Sequence, residues 1–129
     1  MKTANQPTNW SRINKRDNGR GTGWTDHETS VLILLYFDML RLQRAGRLAR
    51  ATKANPDNVS KASMVKAFMV KTGRTKGSVE TKLMNISASM VALGLPTVTG
   101  YKALSNRSKG LDDAVKVLAA DHASVVSGA

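Results

Sequence analysis

The chain has 129 residues, with twenty Lys and Arg against nine Asp and Glu, a formal net charge of +11 and a pI near 10.5. That length predicts one domain with a modest helical core. The lack of Cys excludes a disulfide framework, a thiolate nucleophile and a Cys-ligated zinc finger. The longest apolar run, Val31 to Phe37, is too short to cross a bilayer, and the polar, basic start carries no apolar signal core. A cytoplasmic protein is expected.

Residues 1–23 carry Lys2, Arg12, Lys15, Arg16 and Arg20 against Asp17, without a periodic apolar pattern. The composition predicts a disordered basic arm. Such an arm either follows a DNA backbone or enters a minor groove, or is an unstructured leader. Trp10 within it either packs back on the core or stacks on a base.

A first helix is expected from Asp26 to about Arg44. Thr25 is its N-cap, Glu28 occupies the capping-box position, and Asp26 lies in the first turn where the helix dipole favours negative charge. Val31, Leu35, Met39 and Leu42 share one face, while Ile33, Phe37 and Leu40 form a second apolar stripe nearly opposite. A helix apolar on both sides must be covered twice or present one side to a partner. Either the C-terminal segment or a second subunit is available for that purpose. Basic residues then recur every third position from Arg41 to Lys53, up to the breaker Asn55-Pro56-Asp57-Asn58. This run is either a solvated helix end or a phosphate contact.

A second helix is expected over about Ser60 to Lys71, with Val65, Phe68 and Met69 inward and Gly73 just past its end. A third begins after Thr75, where Val79, Leu83, Ile86, Met90 and Leu93 mark one narrow stripe, and stops at Gly94 and Pro96. Helix, tight turn and helix with Arg74 and Lys76 leading the second make a helix-turn-helix with a basic edge. Opposite the stripe lie Ser78, Thr81, Met84, Asn85 and Ala88, small or polar side chains suited to close approach to base edges. On this reading Asn85 pairs with adenine, Ser78 and Thr81 touch bases or phosphates, and Arg74, Lys76 and Lys82 hold the backbone. The competing reading is an ordinary solvent face. After a loop over residues 96–108, Leu111, Ala114, Val115, Leu118 and Ala119 define a fourth amphipathic helix that covers the first, and the tail after Asp121 is expected to fray. Tyr101, Lys102, Arg107 and Lys109 offer a second backbone contact, with Tyr101 as an alternative structural anchor.

Two of these motifs carry a resemblance. Trp24-Thr25-x-x-Glu28 and Gly73-Arg74-Thr75 resemble the openings of the first and third helices of the Myb/SANT class of small helical DNA-binding domains, over roughly residues 24–90. The resemblance implies that Trp24 plugs the core and that the helix after Thr75 lies in the major groove. The run from Gly73 to Leu95, with Gly94-Leu95-Pro96 and Gly100-Tyr101-Lys102, also resembles an accessory segment that precedes HNH nuclease domains in some bacterial restriction-type endonucleases. That second resemblance suggests a bacterial or phage setting.

Charge placement agrees with a polyanionic partner. Residues 41–82 hold eleven basic residues and only Asp57 and Glu80 in opposition. The inventory for catalysis is poor. His27 falls between two first-turn acids that point in different directions, and Asp57 followed by Glu80-Thr81-Lys82 matches a nuclease pattern only superficially, because Glu80 and Lys82 lie in a helical run. No enzymatic activity, metal, cofactor, membrane or small-molecule substrate is expected.

The resulting expectation is an all-α, four-helix domain over 24–121, built on a three-helix Myb-like helix-turn-helix, between the arm at 1–23 and a flexible tail at 122–129. It would bind double-stranded DNA in a regulatory role, such as transcription regulation, or as an accessory to DNA transactions. The contacts would come from Arg74, Lys76, Ser78, Thr81, Lys82 and Asn85, with Arg44, Arg47, Arg50 and Lys102 around them. The alternative is an adaptor or inhibitor that binds a nuclease, another protein or a second copy through Ile33, Phe37 and Leu40.

Overall fold

A computed structural model of the chain describes residues 23–128; the arm at 1–22, including Trp10 and the basic residues around it, lies outside them. The described residues form five helices and no strand: α1 (Asp26–Arg44), α2 (Lys61–Thr72), α3 (Lys76–Ala92), α4 (Leu111–Asp121) and α5 (Ala123–Ser127). None is long and apolar enough to cross a membrane.

Local chemistry sets the helix ends. At the start of α1 the Thr25 hydroxyl accepts the Glu28 N–H at 3.0 Å and the Thr25 N–H donates to Glu28 Oε1 at 3.1 Å, a closed capping box. Ser60 caps α2 through the Ser63 N–H, and Thr75 caps α3 through the Ser78 N–H, both at 3.1 Å. Gly73 sits at φ 77°, a left-handed conformation that spares a Cβ clash, and its N–H closes α2 on the Met69 carbonyl at 2.7 Å. The link from α1 to α2 doubles back. The Val59 N–H donates to the Arg47 carbonyl at 2.9 Å, and an isolated parallel bridge joins Leu48 to Val59.

The core forms around α1, which packs against all four other helices. Its deepest residues are Leu32, Ile33, Tyr36 and Met39 at 0% exposure, with Phe37 and Leu40 at 2%. Val31 and Leu35, expected on the primary buried face, are only partly buried, because the deepest line runs through Leu32 and Tyr36 instead. Val79, Leu83, Ile86 and Met90 of α3 are fully buried, as their spacing requires. Leu111, Val115 and Ala119 of α4 complete the other side of the core. The tail expected to fray is instead helical over Ala123–Ser127. Val126 is 2% exposed, and the Arg44 guanidinium donates to the Val125 and Val126 carbonyls at 2.6 and 2.9 Å. By contrast, α2 packs only on α1 and α3, which leaves its outer face open.

Candidate nucleic-acid interface

The motif that opens α1 and the turn that opens α3 meet in space. Glu28 is 0% exposed, and an isolated buried carboxylate is too costly to persist. Arg74 supplies the counter-charge: its Nη2 donates to Glu28 Oε1 at 2.9 Å and to the Gly23 carbonyl at 2.7 Å, and its Nε donates to Glu28 Oε2 at 3.2 Å. The guanidinium carbon lies 4.3 Å from the centroid of the Trp24 ring, which also stacks on Phe68 at 5.8 Å between centroids. The turn between α2 and α3 is therefore pinned to the start of α1. The expected phosphate role of Arg74 is corrected, since this side chain is 6% exposed and committed to Glu28. Glu28 is thus more than a capping residue, because its second oxygen is met by Arg74 from 46 positions away.

Lys82, about two helical turns further on in α3, is half-buried with its Nζ 5.5 Å from the Trp24 centroid. Burial, and then the nearby Arg74 charge, hold its pKa below the usual lysine value.

The outer side of α3 is divided. Asn85, expected to read adenine, is 7% exposed, and its Nδ2 donates to the Leu104 carbonyl at 2.8 Å and the Asn106 carbonyl at 3.1 Å. The Leu104 N–H donates in turn to the Met84 carbonyl at 3.1 Å. The loop between α3 and α4 thus lies along the helix and covers the proposed reading position. Four other side chains hold that loop down. The Tyr36 hydroxyl pairs with Ser87 Oγ at 2.7 Å and accepts the Val98 N–H at 2.9 Å; burial pushes its pKa up against both contacts. Gln43 donates to the Thr97 carbonyl at 3.1 Å and accepts the Thr99 N–H at 2.7 Å. Lys61 donates to the Thr99 carbonyl at 2.7 Å and lies 4.6 Å from the Tyr101 centroid. The Tyr101 hydroxyl is pushed up to about 12, by burial first and then by Glu80 and Tyr36. Arg107 clasps Asp112 through 2.7 and 3.0 Å hydrogen bonds.

The open polar side chains of α3 lie at its beginning, while Val91 and Ala92 at its end are exposed but apolar. Lys76 and Thr81 are exposed and Ser78 is partly so, with Lys76 4.0 Å from Glu80. Of the flanking cations, Arg50 and Lys102 are exposed as expected. Arg44 and Arg47 are tied internally, Arg44 to the end of α5 and Arg47 to the Asp57 carbonyl at 2.9 and 3.2 Å. Among the described residues neither has a carboxylate within 4.0 Å, so carbonyl partners leave both charges in place. On the open face of α2, Lys66 and Lys71 are exposed on either side of Val70, which is itself 78% exposed. Among the described residues no carboxylate lies within 4.0 Å of Arg50, Lys53, Lys66 or Lys71. Lys66 and Lys71 were visible only as part of the general charge; the outward stripe of α2 is the signal that picks them out.

The proposed protein-binding stripe is also corrected. Ile33, Phe37 and Leu40 are at most 2% exposed and belong to one core with Leu111, Val115 and Val126, and Phe37 packs 6.3 Å from His122. The C-terminal helices supply the second cover that this helix needs. In comparisons with protein-family models, with curated proteins and with solved structures, nothing matches this chain.

Proposed function

We propose that this is a non-enzymatic protein that binds double-stranded DNA, docking the beginning of α3 and the open face of α2 against the duplex. One observation carries the reading: a helix-turn-helix on which Lys66, Lys71 and Lys76 are all exposed, preceded by a link in which Arg50 and Lys53 are exposed too, with little acidic opposition. The pinning of Gly73-Arg74-Thr75 to Trp24 and Glu28 supports the Myb/SANT resemblance, because the residues that carry it form one contact network. Lys76, Ser78 and Thr81 are the α3 side chains available to a groove, and Lys102 is available to the backbone beside them. A regulatory or accessory role in DNA transactions follows from that partner, in the cytoplasm of a bacterium or of a phage-infected host.

The test is fluorescence anisotropy with a labelled random-sequence duplex across a salt series, with single-stranded DNA and duplex RNA in parallel. Duplex binding of micromolar strength or better with a steep negative salt slope is expected, and the combined Lys66→Ala, Lys71→Ala and Lys76→Ala variant should lower that slope by about 3. A variant with an unchanged slope would remove α2 and the start of α3 from the interface, and no duplex binding at low salt would end the reading.

A further inference from the structure

We propose that the cleft between the start of α1, the middle of α3 and the start of α4 binds a phosphate group carried by a nucleotide, either within a strand or free. The cleft measures about 460 Å³, a size suited to a nucleotide. Its walls include the Trp24 ring, Thr29 and Ser30 from α1, Lys82 from α3, and Ser108 and Ala114 on either side of the α4 start.

Lys82 is the reason to assign an anion. The side chain is half-buried in this cleft with its Nζ 5.5 Å from the Trp24 centroid, and among the described residues it makes no hydrogen bond and has no carboxylate within 4.0 Å. Desolvating a cation without an anion is unfavourable, and the neighbouring Arg74 cannot help because it is itself positive and held by Glu28. The acid on the wall, Asp26, is exposed to solvent and forms no ion pair with Lys82. Three hydroxyl side chains stand with the cation, and the α4 start has no side-chain cap of its own. A phosphate offers enough acceptor oxygens for this donor set, whereas a single carboxylate offers fewer. The Trp24 ring and the Ala114 methyl leave apolar wall for the sugar and base attached to it.

The test uses the full chain carrying Trp10→Phe, so that indole emission comes from Trp24. It is titrated with deoxyadenosine monophosphate and with a short duplex, using deoxyadenosine as the phosphate-free control. A saturable change in Trp24 emission with a phosphate-bearing probe, absent with deoxyadenosine, is expected. Lys82→Met should weaken it by roughly tenfold to a hundredfold, the loss of a charge-assisted hydrogen bond. Ala114→Leu, which narrows the cleft and keeps the cation, should weaken it as well, and Lys116→Ala, an exposed cation outside the cleft, should leave the mononucleotide response intact. A response to the mononucleotide assigns a free-nucleotide site; a response to duplex alone assigns a strand phosphate. No emission change with either probe, or affinity unchanged in folded Lys82→Met and Ala114→Leu, overturns the proposal. Duplex anisotropy that stays flat while the mononucleotide titrates would instead sink the duplex-docking reading and leave this site standing.

Discussion

The two halves of α3 use similar residues for opposite purposes. From Lys76 to Lys82 the helix keeps much of its polar surface open, with Lys76 and Thr81 exposed; from Asn85 to Met90 every residue is buried. Yet the second half is no more apolar on its outer side, since Asn85, Ser87 and Ser89 alternate with Ile86, Ala88 and Met90. Each of those three polar side chains has an internal partner: the Leu104 and Asn106 carbonyls, the Tyr36 hydroxyl and the Asp112 carboxylate, respectively. Small polar residues on a helix therefore mark close approach without saying what approaches. In the second half it is the chain's own loop together with α1 and α4, and in the first half Lys76 and Thr81 stay open to solvent.

Variants can break this comparison. The largest effect should come from Arg74→Ala, which leaves the Glu28 carboxylate buried without its partner and should cost about 3–5 kcal/mol in urea unfolding. Lys76→Ala, two residues away, should change stability by no more than about 0.5 kcal/mol while weakening duplex binding. Equal stability losses in the two would show that the start of α3 is as structural as the turn. Next comes Tyr36→Phe, which strands the Val98 N–H and Ser87 hydroxyl and should cost about 1–3 kcal/mol. Asn85→Ala should cost about 1–2 kcal/mol, speed hydrogen exchange at the Leu104 amide and leave any sequence preference unchanged. A relaxed preference with an undisturbed loop would restore Asn85 as a base reader.

The smaller effects sharpen the same contrast. Nothing lies within 4 Å of a Cβ built on Gly77, in the first turn of α3. Gly77→Ala should therefore raise stability by about 0.5–1 kcal/mol, read as a higher midpoint in urea. If that turn faces the duplex closely, the stabler variant should bind DNA less tightly. At the far end of the loop, hydrogen bonds from Arg107 and then Ser89 pull the Asp112 carboxyl down to about 2 from its ordinary value of 3.8. Its contribution is full above the ordinary value and is lost as pH falls toward about 2. Asp112→Asn should flatten that part of the acid unfolding curve, and an unchanged curve would show that the clasp contributes nothing.

Much of the fold was legible because local chemistry determines it. Thr25 with Glu28, Thr75, and Gly73 with its left-handed conformation mark helix ends through hydrogen bonds within a few residues. The four-three spacing of Val79, Leu83, Ile86 and Met90 marks a buried stripe for the same reason. The site was less legible because its assignments depend on distant partners. Arg74 meets Glu28 across 46 positions, Asn85 meets Leu104 across 19, and Tyr36 meets Val98 across 62. No pattern around any of those residues separates a cation bound for phosphate from one bound for a buried carboxylate.

The sequence by itself determined the helical class, the main helix boundaries, the turn before α3 and the excess of positive charge, because each is a property of neighbouring residues or of the sum over all of them. Only the tertiary structure decided which polar groups are left for a ligand. It assigned Arg74 to Glu28, Asn85 to the loop, and Ile33, Phe37 and Leu40 to the C-terminal helices, while leaving Lys66, Lys71 and Lys76 outside. The physical reason is that a buried charge or amide takes whichever partner the packing brings within hydrogen-bond distance, and packing joins residues far apart in the chain.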